Sequence, residues 1–109
     1  MEHPNLYTLK TTVFRNGKVI DETSTITGFR TFTFDHDKGF ALNGKWMKMK
    51  GVCLHHDAGV LGSAVPKEVW KSRLLTLKEI GVNAIRTTHN PQAPDLYALC
   101  DELGILSFK

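Results

Sequence analysis

The side chains best suited to chemistry in this sequence fall in two clusters. His55, His56 and Asp57 close a short apolar run, Val52-Cys53-Leu54, and Arg86, His89 and Asn90 close a second, which begins at Val82 and includes Ala84 and Ile85. Imidazole and amide groups donate and accept hydrogen bonds, and guanidinium donates in a fixed fork. The same histidines with Asp57 could instead ligate a metal. Adjacent histidines on a strand point to opposite faces, however, so His55 and His56 would rarely share one ion. In both clusters an apolar run turns abruptly polar. That is how the C-terminal end of a buried parallel strand reads, and ligands collect at that end in α/β units.

The elements that must position these groups follow from periodicity. Gly81–Pro91 is the organising stretch. Pro91 stops its strand because it has no N–H for a ladder. Before it, 66–80 reads as a helix. Pro66 suits the first turn and Glu68 and Lys78 complement the dipole. Trp70, Leu74, Leu77 and Ile80 form the inner stripe, and Gly81 is the C-cap. After it, 94–103 reads as a second helix with Leu96, Leu99, Cys100 and Leu103 inward and Gly104 at its end. Residues 105–108 then start a third buried strand. Residues 50–108 thus read β-α-β-α-β, with strand edges left without partners.

Residues 1–36 read differently. Leu6–Phe14 and Lys18–Ile26 flank Asn16-Gly17, the strongest short hairpin signal, since both residues tolerate positive φ. Residues 28–34 alternate again, 35–39 form a loop by composition, and 40–49 make a second hairpin on Asn43-Gly44. The aromatics Trp46, Trp70 and the phenylalanines read as core.

With 109 residues, 41% hydrophobic content and a formal charge of +3, the chain has an ordinary soluble composition. Its basic residues are scattered. Lys45, Lys48 and Lys50 read as a solvated face, so neither nucleic acid nor a membrane is an expected partner. No apolar run approaches the roughly 20 residues of a membrane span, and the first residues lack the order of a signal peptide. The compartment is left open. Cys53 and Cys100 read as buried free thiols.

The order Gly28-Phe29-Arg30, Leu42-Asn43-Gly44-Lys45 and Lys50-Gly51-Val52 with His55 resembles glycoside hydrolase family 2. Gly81-Val82-Asn83-Ala84-Ile85-Arg86-Thr87-Thr88-His89-Asn90-Pro91 and Leu99-Cys100-Asp101-Glu102-Leu103-Gly104-Ile105 carry the resemblance further. It implies that 1–36 are the last strands of an immunoglobulin-like β-sandwich. Residues 37–109 would open a (β/α)8 barrel, which needs about 250 residues when complete. It also implies a retaining β-glycosidase acting on β-galactosides, or alternatively on β-glucuronides or β-mannosides. Retaining glycosidases use two carboxyl groups about 5 Å apart, and in the family both are glutamates on later strands. Of the eleven acidic residues here, only Asp57 falls at an expected ligand-side strand end. No catalytic residue and no metal ligand is therefore assigned, and the chain alone is expected to be inactive.

What the resemblance leaves is a sugar-binding rim of His55, Asp57, Arg86, His89 and Asn90, with the two histidines on the sugar and Arg86 beside the nucleophilic carboxylate. His56 stands where the family often has an acidic residue, and Asn90 where it often has an aromatic. No cofactor is expected in this segment, with Mg or Na left to a full-length parent. Carbohydrate is the expected ligand, and homo-oligomers through free strand edges the expected assembly. The competing readings are structural: His89 and Asn90 as caps of the second helix, and Arg86 in a buried ion pair.

Overall fold

The computed structural model describes residues 4–108. It is strand-rich with two α-helices. Strands β1 (Tyr7–Arg15) and β2 (Lys18–Thr27) pair antiparallel, with a bulge at Val13/Phe14. Asn16 and Gly17 turn the chain at φ of 52° and 73°. Both values lie in the left-handed region, which Asn and Gly enter most readily. Strands β3 (Phe32–Asp35), β4 (Gly39–Leu42) and β5 (Lys45–Met47) form a second antiparallel sheet. The Asp35 carboxylate accepts the N–H groups of Asp37 and Lys38, which tightens the expected 35–39 loop into a short turn. Asn43 exchanges two hydrogen bonds with the Thr31 backbone and so anchors the second hairpin.

The third sheet is parallel, in the order β6 (Gly51–Leu54), β7 (Ala84–Thr87), β8 (Leu106–Phe108). Helix α1 (Lys67–Glu79) links the first two strands and α2 (Pro94–Leu103) the last two. The Asn83 side chain accepts from the Lys50 N–H at 2.8 Å and donates to the Lys48 carbonyl at 2.9 Å, fixing the approach to β6 against that to β7. Gly104 ends α2 in the left-handed conformation at φ 65°, ψ 44°, where a Cβ would be strained.

Register decides what each face of this sheet does. Val52, Ile85 and Ser107 are in line, and residues two apart share a face. That face meets the helices: Ile85, Trp70, Leu74, Leu96, Leu99, Cys100 and Ile105 form one core, with Val52 and Leu54 against it. Burying each large aliphatic side chain there contributes roughly 1.5–3 kcal/mol. On the other face, Ala84 and Leu106 at the strand starts are covered by Phe40, with Leu42 and Met47 alongside. Farther along that face, Cys53, Arg86 and Phe108 stand in register and exposed.

Several expectations are corrected. Trp70 is core, but Trp46 is 42% exposed, and among the phenylalanines only Phe40 is buried. The reason is that neither β1–β3 nor the Trp46 side of β5 meets a second layer within the described residues. Ile80 leaves the α1 stripe at 73% exposure because the helix ends at Glu79 and Ile80 is its C-cap; Gly81 follows at φ 87°. Pro66 sits at the N-cap rather than within the first turn. Cys53 is exposed, since its face of β6 is the uncovered one, whereas Cys100 is buried as expected.

Candidate functional site

The site is assembled where β6 and β7 end. Leu54 is the last residue of β6, and His55 follows it. Thr87 ends β7, and Thr88 and His89 follow, joined by a cis peptide. Because the strands are adjacent and parallel, both histidines emerge at the same end of the sheet. Their rings meet edge to face, with centroids 5.8 Å apart and planes at 82°. Both residues are exposed.

His56 parts company with His55. Successive side chains leave an extended backbone on opposite sides. His56 accordingly packs on the helix side against Trp70, at 5.5 Å between centroids. Its Nδ1 and the Trp70 Nε1 are both buried without a hydrogen-bond partner. Arg73 covers the other part of this group. Its guanidinium carbon lies 4.8 Å from the Trp70 ring centroid, and Nη1 donates to the Asp57 carbonyl at 2.9 Å. Asp57 thus meets α1 through its backbone. Among the described residues, no three His, Cys, Asp or Glu side chains gather closely enough to hold a metal ion.

Arg86 lies one strand position before the end of β7, on the open face opposite Cys53. It is exposed, and among the described residues it makes no ion pair. Among the described residues the buried ion-pair reading therefore does not hold, because the cover that Phe40 gives Ala84 on this face does not extend to Arg86. The capping reading fails as well. Ala93 occupies the N-cap of α2 without a side-chain cap, and Asn90 donates weakly to the Pro91 carbonyl at 3.4 Å.

Three residues to which the sequence assigned no role hold this end together. The Leu54 carbonyl accepts from the Thr88 N–H at 3.0 Å, from Thr88 Oγ1 at 3.2 Å and from Gln92 Nε2 at 2.6 Å. Thr87 Oγ1 donates to the Phe108 carbonyl at 3.2 Å and ties in β8. Thr88 lay in the polar half of the organising stretch, which was a usable signal; Gln92 had none beyond its place after Pro91. A cavity of about 660 Å³ lies elsewhere, between the base of the β1–β2 hairpin and the Cys100–Leu106 segment, and its walls include neither histidine nor Arg86.

Chemically, the strand ends offer two imidazoles in contact and a free guanidinium on the neighbouring open face. That is a hydrogen-bonding and charge-stabilising surface. Among the described residues, no pair of carboxyl groups lies at these strand ends.

Residues 35–108 match the model of the glycosyl hydrolases family 2 TIM barrel domain, and residues 1–30 match the glycosyl hydrolases family 2 model that accompanies it. A β-galactosidase of Bacteroides ovatus is 49% identical over 97% of the chain, which covers 12% of that protein. A putative β-glucuronidase of Formosa agariphila is 47% identical over 96% of the chain, covering 10% of its length. The solved β-glycosidase from Bacteroides vulgatus superposes with a TM-score of 0.90 at 49% identity, over 95% of this chain and 14% of that one. The chain thus spans about a tenth to an eighth of these two curated relatives. A family model that matches residues 35–108, together with relatives at up to 49% identity over 97% of the chain, means that the chain belongs to glycoside hydrolase family 2.

Proposed function

We propose that these residues are the segment of a retaining β-glycosidase that builds part of its sugar-binding rim, with β-galactosides as substrates. In this reading residues 1–36 are the closing strands of an immunoglobulin-like sandwich. Residues 37–109 are the first β-α-β-α-β of a (β/α)8 barrel, and the open face bearing Cys53, Arg86 and Phe108 is its interior. The observation that carries it is the contact of His55 with His89 across adjacent parallel strand ends.

The roles follow from the chemistry. His55 and His89 donate to ring hydroxyls, in bonds that strengthen as the sugar approaches its oxocarbenium-like transition state. Arg86 stands beside the nucleophilic carboxylate and keeps it ionised, since a cation within about 4–6 Å favours the charged form. Asp57 and Asn90 complete the rim. Both carboxyl groups come from strands outside residues 1–109. A Mg or Na ion is left to the complete protein in this reading. No nucleic acid or membrane enters the reading; no helix of the described residues is long and apolar enough to cross a membrane. The free edges of β6 and β8 give the chain on its own a route to self-association.

Several relatives carry the name β-glucuronidase, one of them from Bacteroides fragilis at 38% identity over 98% of the chain. That favours β-glucuronides as the second substrate class. The test is turnover of chromogenic β-galactosides and β-glucuronides by a complete polypeptide carrying residues 1–109, beside the 109-residue chain alone. The complete polypeptide should cleave the galactoside, and the chain alone should cleave neither. Turnover by the chain alone would contradict the assignment of the carboxyl groups to other strands. Turnover of the glucuronide alone would overturn the galactoside reading.

A further inference from the structure

The carbonyl of Leu54 carries three donors, although a carbonyl oxygen has two lone pairs. One donor is the Gln92 amide at 2.6 Å, from a side chain in a residue only 8% exposed. The backbone N–H of Gln92 donates in turn to the Tyr97 hydroxyl at 3.0 Å, so Gln92 is itself held against α2. The other two donors belong to Thr88. Leu54 immediately precedes His55, and Thr88 immediately precedes His89. The three hydrogen bonds therefore join the two backbone segments from which the paired rings project.

We propose that Gln92 is a positioning residue: it touches no sugar, and together with Thr88 it fixes the distance and edge-to-face angle between His55 and His89. This rests on the glycosidase reading for its effect on catalysis but not for its effect on geometry. A ring displaced by about 1 Å from a transition-state contact can cost up to about a hundredfold in rate. Removing the donor should therefore act mainly on kcat.

The experiment compares wild type, Gln92→Ala, Thr88→Val and Gln92→Glu in the complete polypeptide, with an aryl β-galactoside as substrate. Gln92→Ala and Thr88→Val should lower kcat between about tenfold and about a hundredfold with KM close to wild type. Both should weaken the nuclear Overhauser contact between the His55 and His89 rings. Gln92→Glu keeps the side-chain shape, so it holds the test open if the alanine variant does not fold. Its protonated carboxyl can donate to Leu54 and its ionised form cannot, so its deficit should shrink as pH falls. A Gln92→Ala variant with wild-type kcat and an intact ring contact would overturn the proposal, as would a Gln92→Glu deficit that ignores pH. If wild type cleaves no aryl β-glycoside, the glycosidase reading fails, and the Overhauser comparison still decides the positioning.

Discussion

Cys100 lies 2% exposed on the inner face of α2, packed with Leu96, Leu99 and Ile105. Burial, and then the adjacent charge of Asp101, push its thiol from an ordinary 9.0 up to about 12. Two effects follow, and both have magnitudes. At pH 8 a thiol of pKa 12 is ionised about once in ten thousand molecules, against about one in ten at 9.0, so alkylation slows about a thousandfold before shielding is counted. The second effect is on stability. Below pH 9 the thiol is neutral in both folded and unfolded chains, and the fold keeps its full stability. As pH climbs from 9 toward 12, the unfolded thiol loses its proton while the folded one keeps it. The unfolded state gains, and Cys100 withdraws stability progressively across the window, on the order of 1 kcal/mol per pH unit. The assay is iodoacetamide labelling at pH 8 with peptide mapping, together with urea unfolding from pH 8 to 10.5 for wild type and Cys100→Ala. Exposed Cys53 should label first, and wild type should lose stability more steeply with pH than the variant. Equal labelling rates in native buffer, or parallel pH slopes, would refute the burial-driven shift.

Other consequences can be measured by the same unfolding curves. Trp70→Ala removes a fully buried ring from the centre of the helix–sheet core and should cost about 3–5 kcal/mol; Trp46→Ala, half-exposed under Lys38, should stay within about 1 kcal/mol. Asn83→Ala breaks both bonds to the Lys48–Lys50 segment. It should cost about 1–3 kcal/mol and speed hydrogen exchange at the Lys50 amide; unchanged exchange there would mean that the clamp is idle.

The local elements were legible because their signals are local. Asn16-Gly17 and Asn43-Gly44 adopt positive φ and turn hairpins as their chemistry demands. Pro94 and Gly104 bound α2, and Leu96, Leu99 and Cys100 occupy its buried stripe. Alternation and helical spacing placed Trp70, Leu74 and Ile85 inward, and those three are fully buried. The errors share one cause. The apolar character of Phe29, Phe32, Phe34, Trp46 and Cys53 was read as burial, yet burial requires a partner surface, and a residue's type says nothing about whether one is there.

The sequence by itself determined the strand ends and the groups that cluster there, because apolar runs, Pro91 and the Asn-Gly pairs act within a few residues of themselves. Tertiary structure decided which of those groups meet. Parallel pairing of β6 with β7 brings His55 to His89. The alternation of an extended backbone sends His56 to Trp70 instead. Gln92 reaches Leu54 across 38 positions of sequence, a contact that depends on the register of the two strands and on where α2 begins, and that no periodicity along the chain records.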